Sequence, residues 1–168
     1  MDLFEAIETR SSAGRLTAPG PDPVQLARIL AAASHAPDHG RLKPWRLLVL
    51  DDDARRRYAA AVMSARARRS PEPTPEQLRI EGEKIWRSPT VVVIGCAVRR
   101  DHPKVPEIEQ VLSVGAAAEN LFLAAHALGF GVMWKTGWPA YDDEVKAAVG
   151  LQPQDHIVGV MHLGTRVP

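Results

Sequence analysis

Cysteine is nearly absent from this sequence of 168 residues: the only one, Cys96, lies inside the apolar run Thr90 to Val98. One thiol cannot close an intrachain disulfide, so a disulfide-stapled extracellular scaffold is excluded and a reducing cytoplasm is expected. Excess charge of either sign is missing too. Lys and Arg number 21 against 20 Asp and Glu, a net charge of +1, so no long-range field draws the chain to nucleic acid or anionic lipid and any anion must be captured locally. No apolar stretch is long enough to span a bilayer, since even Val114 to Val132 is broken by Glu119, Asn120 and His126. The N-terminus, MDLFEAIETR, is acidic and amphipathic where an export signal would be basic and then continuously apolar, so no export is expected. HExxH, CxxC, a Ser-His-Asp order and a P-loop are all lacking. A metal site is therefore not expected, and nucleophilic-triad or P-loop chemistry has no support.

What is present suits a globular chain: 45% hydrophobic and 24% charged residues, at a length that fits one domain over 1–168. Leu3, Phe4 and Ile7 share a helical face and predict a short first helix. Asp22, Pro23 and Gln25 form a capping box with a first-turn proline, and Leu26, Ile29, Leu30 and Ala33 continue at helical spacing until Pro37 ends the ladder. Trp45 to Leu50 reads as a strand, and Asp51 to Asp53 cap a helix to about Ala67. Arg68 to Pro75, with three prolines among charges, reads as a flexible surface insertion before Thr74, Pro75 and Gln77 restart a helix.

Thr90 to Val98, nearly continuous in Val and Ile, predicts a strand buried on both faces at the sheet centre. Glu109 to Gly129 is the longest predicted helix, Val132 and Met133 a brief strand, Asp142 to Val149 a helix ended by Gly150, and His156 to Leu163 a last strand. This alternation predicts an α+β fold: a three-layer α-β-α sandwich around a central mixed sheet of about four strands.

Three loops concentrate polar and flexible residues. Arg10 to Arg15 offers two guanidinium groups and two hydroxyls, which suits bidentate capture of phosphate, or else is an exposed helix end whose cations complement the dipole. His35 to Pro44 carries two histidines four apart, but Pro37 spoils helical ligand geometry; hydrogen bonding to a planar polar ligand and plain solvation both remain open. Trp134 to Tyr141 gathers two tryptophans and a tyrosine in a chain with only 5% aromatics, as a wall for a flat ligand or as a core corner. Cys96 reads as an inert core thiol.

Taken together and in this order, the loops resemble the FMN-dependent nitroreductase family, particularly its short members, over nearly the whole chain. Arg10-Ser11-Ser12-x-x-Arg15 is similar to the family's R-x-S phosphate motif, which implies that Arg10, Ser11 and Ser12 meet the phosphate and ribityl part of the flavin. Ser11 stands where a second basic residue is frequent, which leaves Arg15 and Arg166 as further candidates. Ala36-Pro37-Asp38-His39-Gly40-Arg41-Leu42-Lys43-Pro44-Trp45 resembles the S-P-S-x-x-N-x-Q-P-W loop, with Arg41 and Lys43 in place of the commoner Asn and Gln. This implies that His35 and His39, with Arg41 as a further candidate, reach FMN across the interface of a homodimer.

Ala127 to Gly137 resembles the A-x-G-L-G segment and the loop after it, so Trp134, Lys135 and Thr136 would line the isoalloxazine, with the Thr136 N–H near N5. Leu163-Gly164-Thr165 is similar to the family's last core strand and turn, after which family members usually continue into a tail that embraces the neighbouring subunit. The resemblance implies ping-pong hydride transfer from NADH or NADPH, through flavin N5, to a nitroaromatic, quinone or similar electron-poor acceptor, with no protein acid, base or nucleophile. A dimeric flavin-handling protein with little reductase turnover is the alternative.

Overall fold

A computed structural model describes residues 1–167. Most helix boundaries follow from capping chemistry. The Asp22 carboxylate accepts from the Val24 and Gln25 amides at 2.8 Å, and the Gln25 side chain returns a bond to the Asp22 amide, starting helix α2 at Pro23–Ala33. Thr74 and Gln77 repeat the box at the start of α4, Pro75–Glu83. Asp2 caps α1 (Leu3–Thr9), Asp51 caps α3 (Asp52–Ala67) and Asp142 caps α6 (Asp143–Ala148). The longest helix, α5, spans Glu107–Ala127, and Gly129 takes a left-handed φ of 88° beyond its end. Short 3-10 turns cover His39–Arg41, Lys84–Trp86 and Trp138–Tyr141.

Five strands form the sheet: β1 (Leu16–Thr17), β2 (Trp45–Val49), β3 (Thr90–Cys96), β4 (Gly131–Lys135) and β5 (His156–Arg166). The expectation of a mixed sheet needs correction, because every pairing between these strands is antiparallel. The physical reason lies in the connections. Helix α5 alone links β3 to β4, so these two run in the same direction, as one helical crossover dictates. They are not neighbours, however: β5 lies between them and opposes both, with Met161 facing Val92 on one side and Trp134 on the other. Between β2 and β3 the chain makes two helices, α3 out and α4 back, and therefore returns antiparallel. Among the described residues the only parallel contact is a single bridge between Ser12 and Val132.

Strand alternation divides the core into two layers. Val92, Ile94, Cys96, Val132, Met161 and Leu163 face α2 and α5, while Val91, Val93, Ile157 and Val160 face α3 and α6. Val91 to Ile94 have no exposed surface, in keeping with a strand covered on both faces. The two-residue β1 escaped the hydrophobic pattern, being too short to show a period. Ser113 donates to the Pro37 carbonyl at 2.7 Å and Asn120 to the Ala32 carbonyl at 3.3 Å, so α5 also anchors the end of α2 and the loop beyond it. Among the described residues, no helix is long and apolar enough to cross a membrane.

Candidate active site

Strand β4 joins the sheet through β5, with the single bridge to Ser12 on its other side, and its last residues carry the aromatic loop to the sheet's edge. Trp134 is seated by an irregularity in β5: the register with β3 shifts between Ile94 and Gly95, leaving Val158 as the extra residue. The Val158 carbonyl accepts from Trp134 Nε1 at 3.2 Å, and the indole lies on Gly159, where no side chain intervenes. The ring is thus fixed by its polar edge, with one side left toward a groove.

That groove, about 410 Å³, is lined by Arg10, Ser12, Glu119, Phe122, Trp134 and Thr136. It joins the end of α1 to the end of β4, residues more than a hundred positions apart in sequence. The Arg10 guanidinium stands 5.0 Å above the centre of the Phe122 ring, a cation–π contact that aims the fork. Beside it, Arg166 Nη2 donates to both the carbonyl and the hydroxyl of Ser11 at 2.7 Å, clamping the loop to the end of β5. The arrangement offers a cation and a hydroxyl at one end, an aromatic plane at the other, and the Glu119 carboxylate as an acceptor between polar groups. Glu119 and Phe122 join this lining without belonging to any of the three loops; their signal in the sequence is a charge three residues from an aromatic within an alanine-rich apolar helix.

The other expected site residues lie elsewhere in the chain. Lys135 alternates to the opposite sheet face from Trp134 and lines a cavity with Tyr58 and His162. Ser11 is held by Arg166 beside the groove. His35 is exposed just beyond α2, and His39 lies in a separate hollow with Pro37, Glu109 and Leu112. There His39 Nδ1 meets Glu109 Oε2 at 2.5 Å, which orients the ring and leaves Nε2 free. A second such pair, His156 Nε2 with Glu107 Oε1 at 2.6 Å, flanks the same helix start. The loop between is strained: Arg41 and Lys43 adopt left-handed φ of 54° and 48°, held in part by the Lys43 amide donating to Asp38 Oδ2 at 2.7 Å. Among the described residues no cluster of His, Cys, Asp or Glu could hold a metal ion.

Residues 7–165 match the Nitroreductase family. The chain belongs to the nitroreductase family. Among individual members, it is 36% identical over 166 residues to the protein named "Putative NAD(P)H nitroreductase YdjA" of Escherichia coli K12, covering 98% of this chain and 88% of that one. In three dimensions it is similar to the nitroreductase-like family protein of Bacillus cereus, with a TM-score of 0.82 and 22% identity over 100% of this chain and 87% of the other. It also resembles the nitroreductase with bound FMN from Bacteroides fragilis, with a TM-score of 0.75 and 22% identity over 99% and 89% of the two chains. The α+β sandwich is therefore the nitroreductase fold, and the Arg10–Thr136 groove is a groove of a nitroreductase-family chain.

Proposed function

We propose that this protein is an FMN-dependent NAD(P)H oxidoreductase, a homodimer acting on nitroaromatic, quinone or similar electron-poor acceptors. The observation that carries the reading is the convergence of Arg10, Ser12, Trp134 and Thr136 on one groove in a nitroreductase fold. The residues fit the cofactor's chemistry. A planar guanidinium suits a phosphate in a two-pronged contact, Ser12 and Glu119 suit the hydroxyls of a sugar-like chain, and Trp134 presents a flat face to a flat ring. When bound, FMN supplies the two-electron chemistry, taking hydride from a nicotinamide and passing it to the acceptor.

The chain's own part is binding, orientation and electrostatics. Arg10 holds the phosphate, and Arg166 keeps the adjoining loop in one conformation through Ser11. Trp134 and the Thr136 backbone position the ring system, and Lys135 contributes positive charge from the end of the same strand. His35 and His39 are assigned to the partner's cofactor, with Glu109 orienting His39. Support for the dimer comes from exposed apolar side chains: Phe4 is 74% and Leu112 64% exposed, with Leu3, Ile7 and Ile108 similarly bare on α1 and α5. Side chains of that size mark a surface that another copy would cover.

Anaerobic absorbance spectra of the purified protein test the reading. The expected result is a flavin band that bleaches on adding NADH or NADPH and returns with a nitroaromatic or quinone. A colourless protein that stays so when FMN is supplied contradicts the cofactor, while bound flavin that never bleaches leaves a flavin-handling protein without reductase turnover. Light scattering that finds a flavin-loaded monomer contradicts the dimer.

A further inference from the structure

The sheet face opposite the Arg10–Trp134 groove covers a cavity of whose lining the flavin reading uses only Lys135 and Thr136. Tyr58 and Val62 of α3, Ile85, Ala140, and Val160 and His162 of β5 wall it, around a volume of about 90 Å³. Most of this lining is apolar, yet two buried polar side chains reach it with a hydrogen-bonding position to spare. Tyr58 is 8% and His162 5% exposed. The Tyr58 hydroxyl has no protein partner among the described residues, and no fully enclosed side-chain nitrogen or oxygen is left unpaired, so the hydroxyl opens on the cavity it lines.

The state of His162 follows from its neighbour. Ser88 Oγ lies 2.9 Å from the Thr90 carbonyl and 2.9 Å from His162 Nδ1. A carbonyl only accepts, so the single Ser88 proton goes to Thr90 and Oγ must accept from His162 Nδ1–H. Nε2 then carries the lone pair and is the ring's only acceptor. Burial, with Lys135, Arg55 and Arg87 nearby, holds the pKa of His162 down to about 4, so the ring is neutral at pH 7.

These groups select a ligand class. At Nε2 a neutral acceptor needs an occupant that brings its own proton, which carboxylates and ketones lack; Glu81, Lys84 and Lys135 also border the cavity. The cations around His162 disfavour an ammonium. A hydroxyl satisfies both demands, donating to Nε2 or accepting from Tyr58, and the apolar walls take a ring. The volume is below the roughly 150 Å³ of an engineered cavity that admits benzene, so a single ring enters only in part, with its polar end leading. We propose that this cavity is a second small-molecule site, which takes a phenol with its hydroxyl directed inward. The site stands on its own walls and needs no flavin, although Thr136 borders both this cavity and the groove.

Phenol titrated into the full-length protein, with whatever flavin it carries and with histidine labelled by nitrogen-15, tests this directly. Phenol should saturate in the millimolar range and move the Nε2 resonance of His162, and toluene should bind more weakly. Tyr58→Phe should weaken phenol about 3- to 10-fold, as expected for one neutral hydrogen bond, and Val62→Phe should block it. No movement of the His162 signal, toluene binding as tightly as phenol, or an unchanged affinity in Tyr58→Phe would each overturn the proposal.

Discussion

The indole of Trp134 rests on the backbone of Gly159 so closely that a Cβ built there would come within 2.1 Å of Nε1. The contact lies next to the Val158 irregularity of β5, whose carbonyl takes the indole proton. Gly159→Ala must therefore push the ring away and break that bond. Overpacking of this kind costs about 1–3 kcal/mol, and the displaced ring should also weaken FMN. Denaturant unfolding and a flavin titration on the variant read the two effects separately; wild-type values in both would contradict the seating described.

Arg10 should matter more for cofactor than for folding. Its guanidinium is half-buried above Phe122, a contact worth about 0.5–1 kcal/mol at an accessible site. Losing a charged hydrogen bond to phosphate costs more, about 1–3 kcal/mol, so Arg10→Ala should raise the FMN Kd by about 10- to 100-fold with little loss of stability. Arg10→Lys keeps the charge without the fork and should fall between. An unchanged FMN affinity in Arg10→Ala would remove the phosphate assignment.

Much of the fold was legible in the sequence because its signals are local. The boxes at Asp22/Gln25 and Thr74/Gln77 set helix starts that the structure keeps, and the β-branched run of β3 disclosed its own burial. The direction of β4 relative to its neighbour was not legible, because it depends on β5 entering between β3 and β4, a pairing of residues about 30 to 70 positions apart. The site divides in the same way. Arg10, Ser12, Trp134 and Thr136 announce themselves by type and order, whereas Glu119 and Phe122 join them only because α5 passes beneath. Lys135 shows the limit of adjacency: next to Trp134 in sequence, it points to the other face of the sheet.

Cys96 should be chemically silent in the folded protein. It has no exposed surface, and burial, followed by the nearby carboxylates of Asp155 and Glu107, pushes its thiol up to about 12. Thiolate is then scarce at pH 8 and inaccessible as well. A disulfide reagent should release less than a tenth of an equivalent from native protein over an hour and a full equivalent after denaturation. Rapid stoichiometric reaction of the native chain would show that β3 is less well covered than its packing indicates.

His162 should make stability fall in mild acid. Its folded pKa of about 4 lies below the usual 6.5, so between these values the unfolded chain binds a proton that the folded chain refuses. More protons on the unfolded side means that stability rises with pH across this window. As pH falls from above 6.5 toward 4, the protein should lose on the order of 3 kcal/mol through this group; above 6.5 the ring is neutral in both states and contributes no slope. Carboxylates on the surface titrate in part of the same range, so the comparison must be with His162→Gln, which retains an amide but not the titration. Urea unfolding of both proteins at pH 7, 5.5 and 4.5 should show the wild type losing stability faster, with the two curves converging as pH falls. Parallel profiles would mean that His162 can take a proton without leaving its place against Ser88.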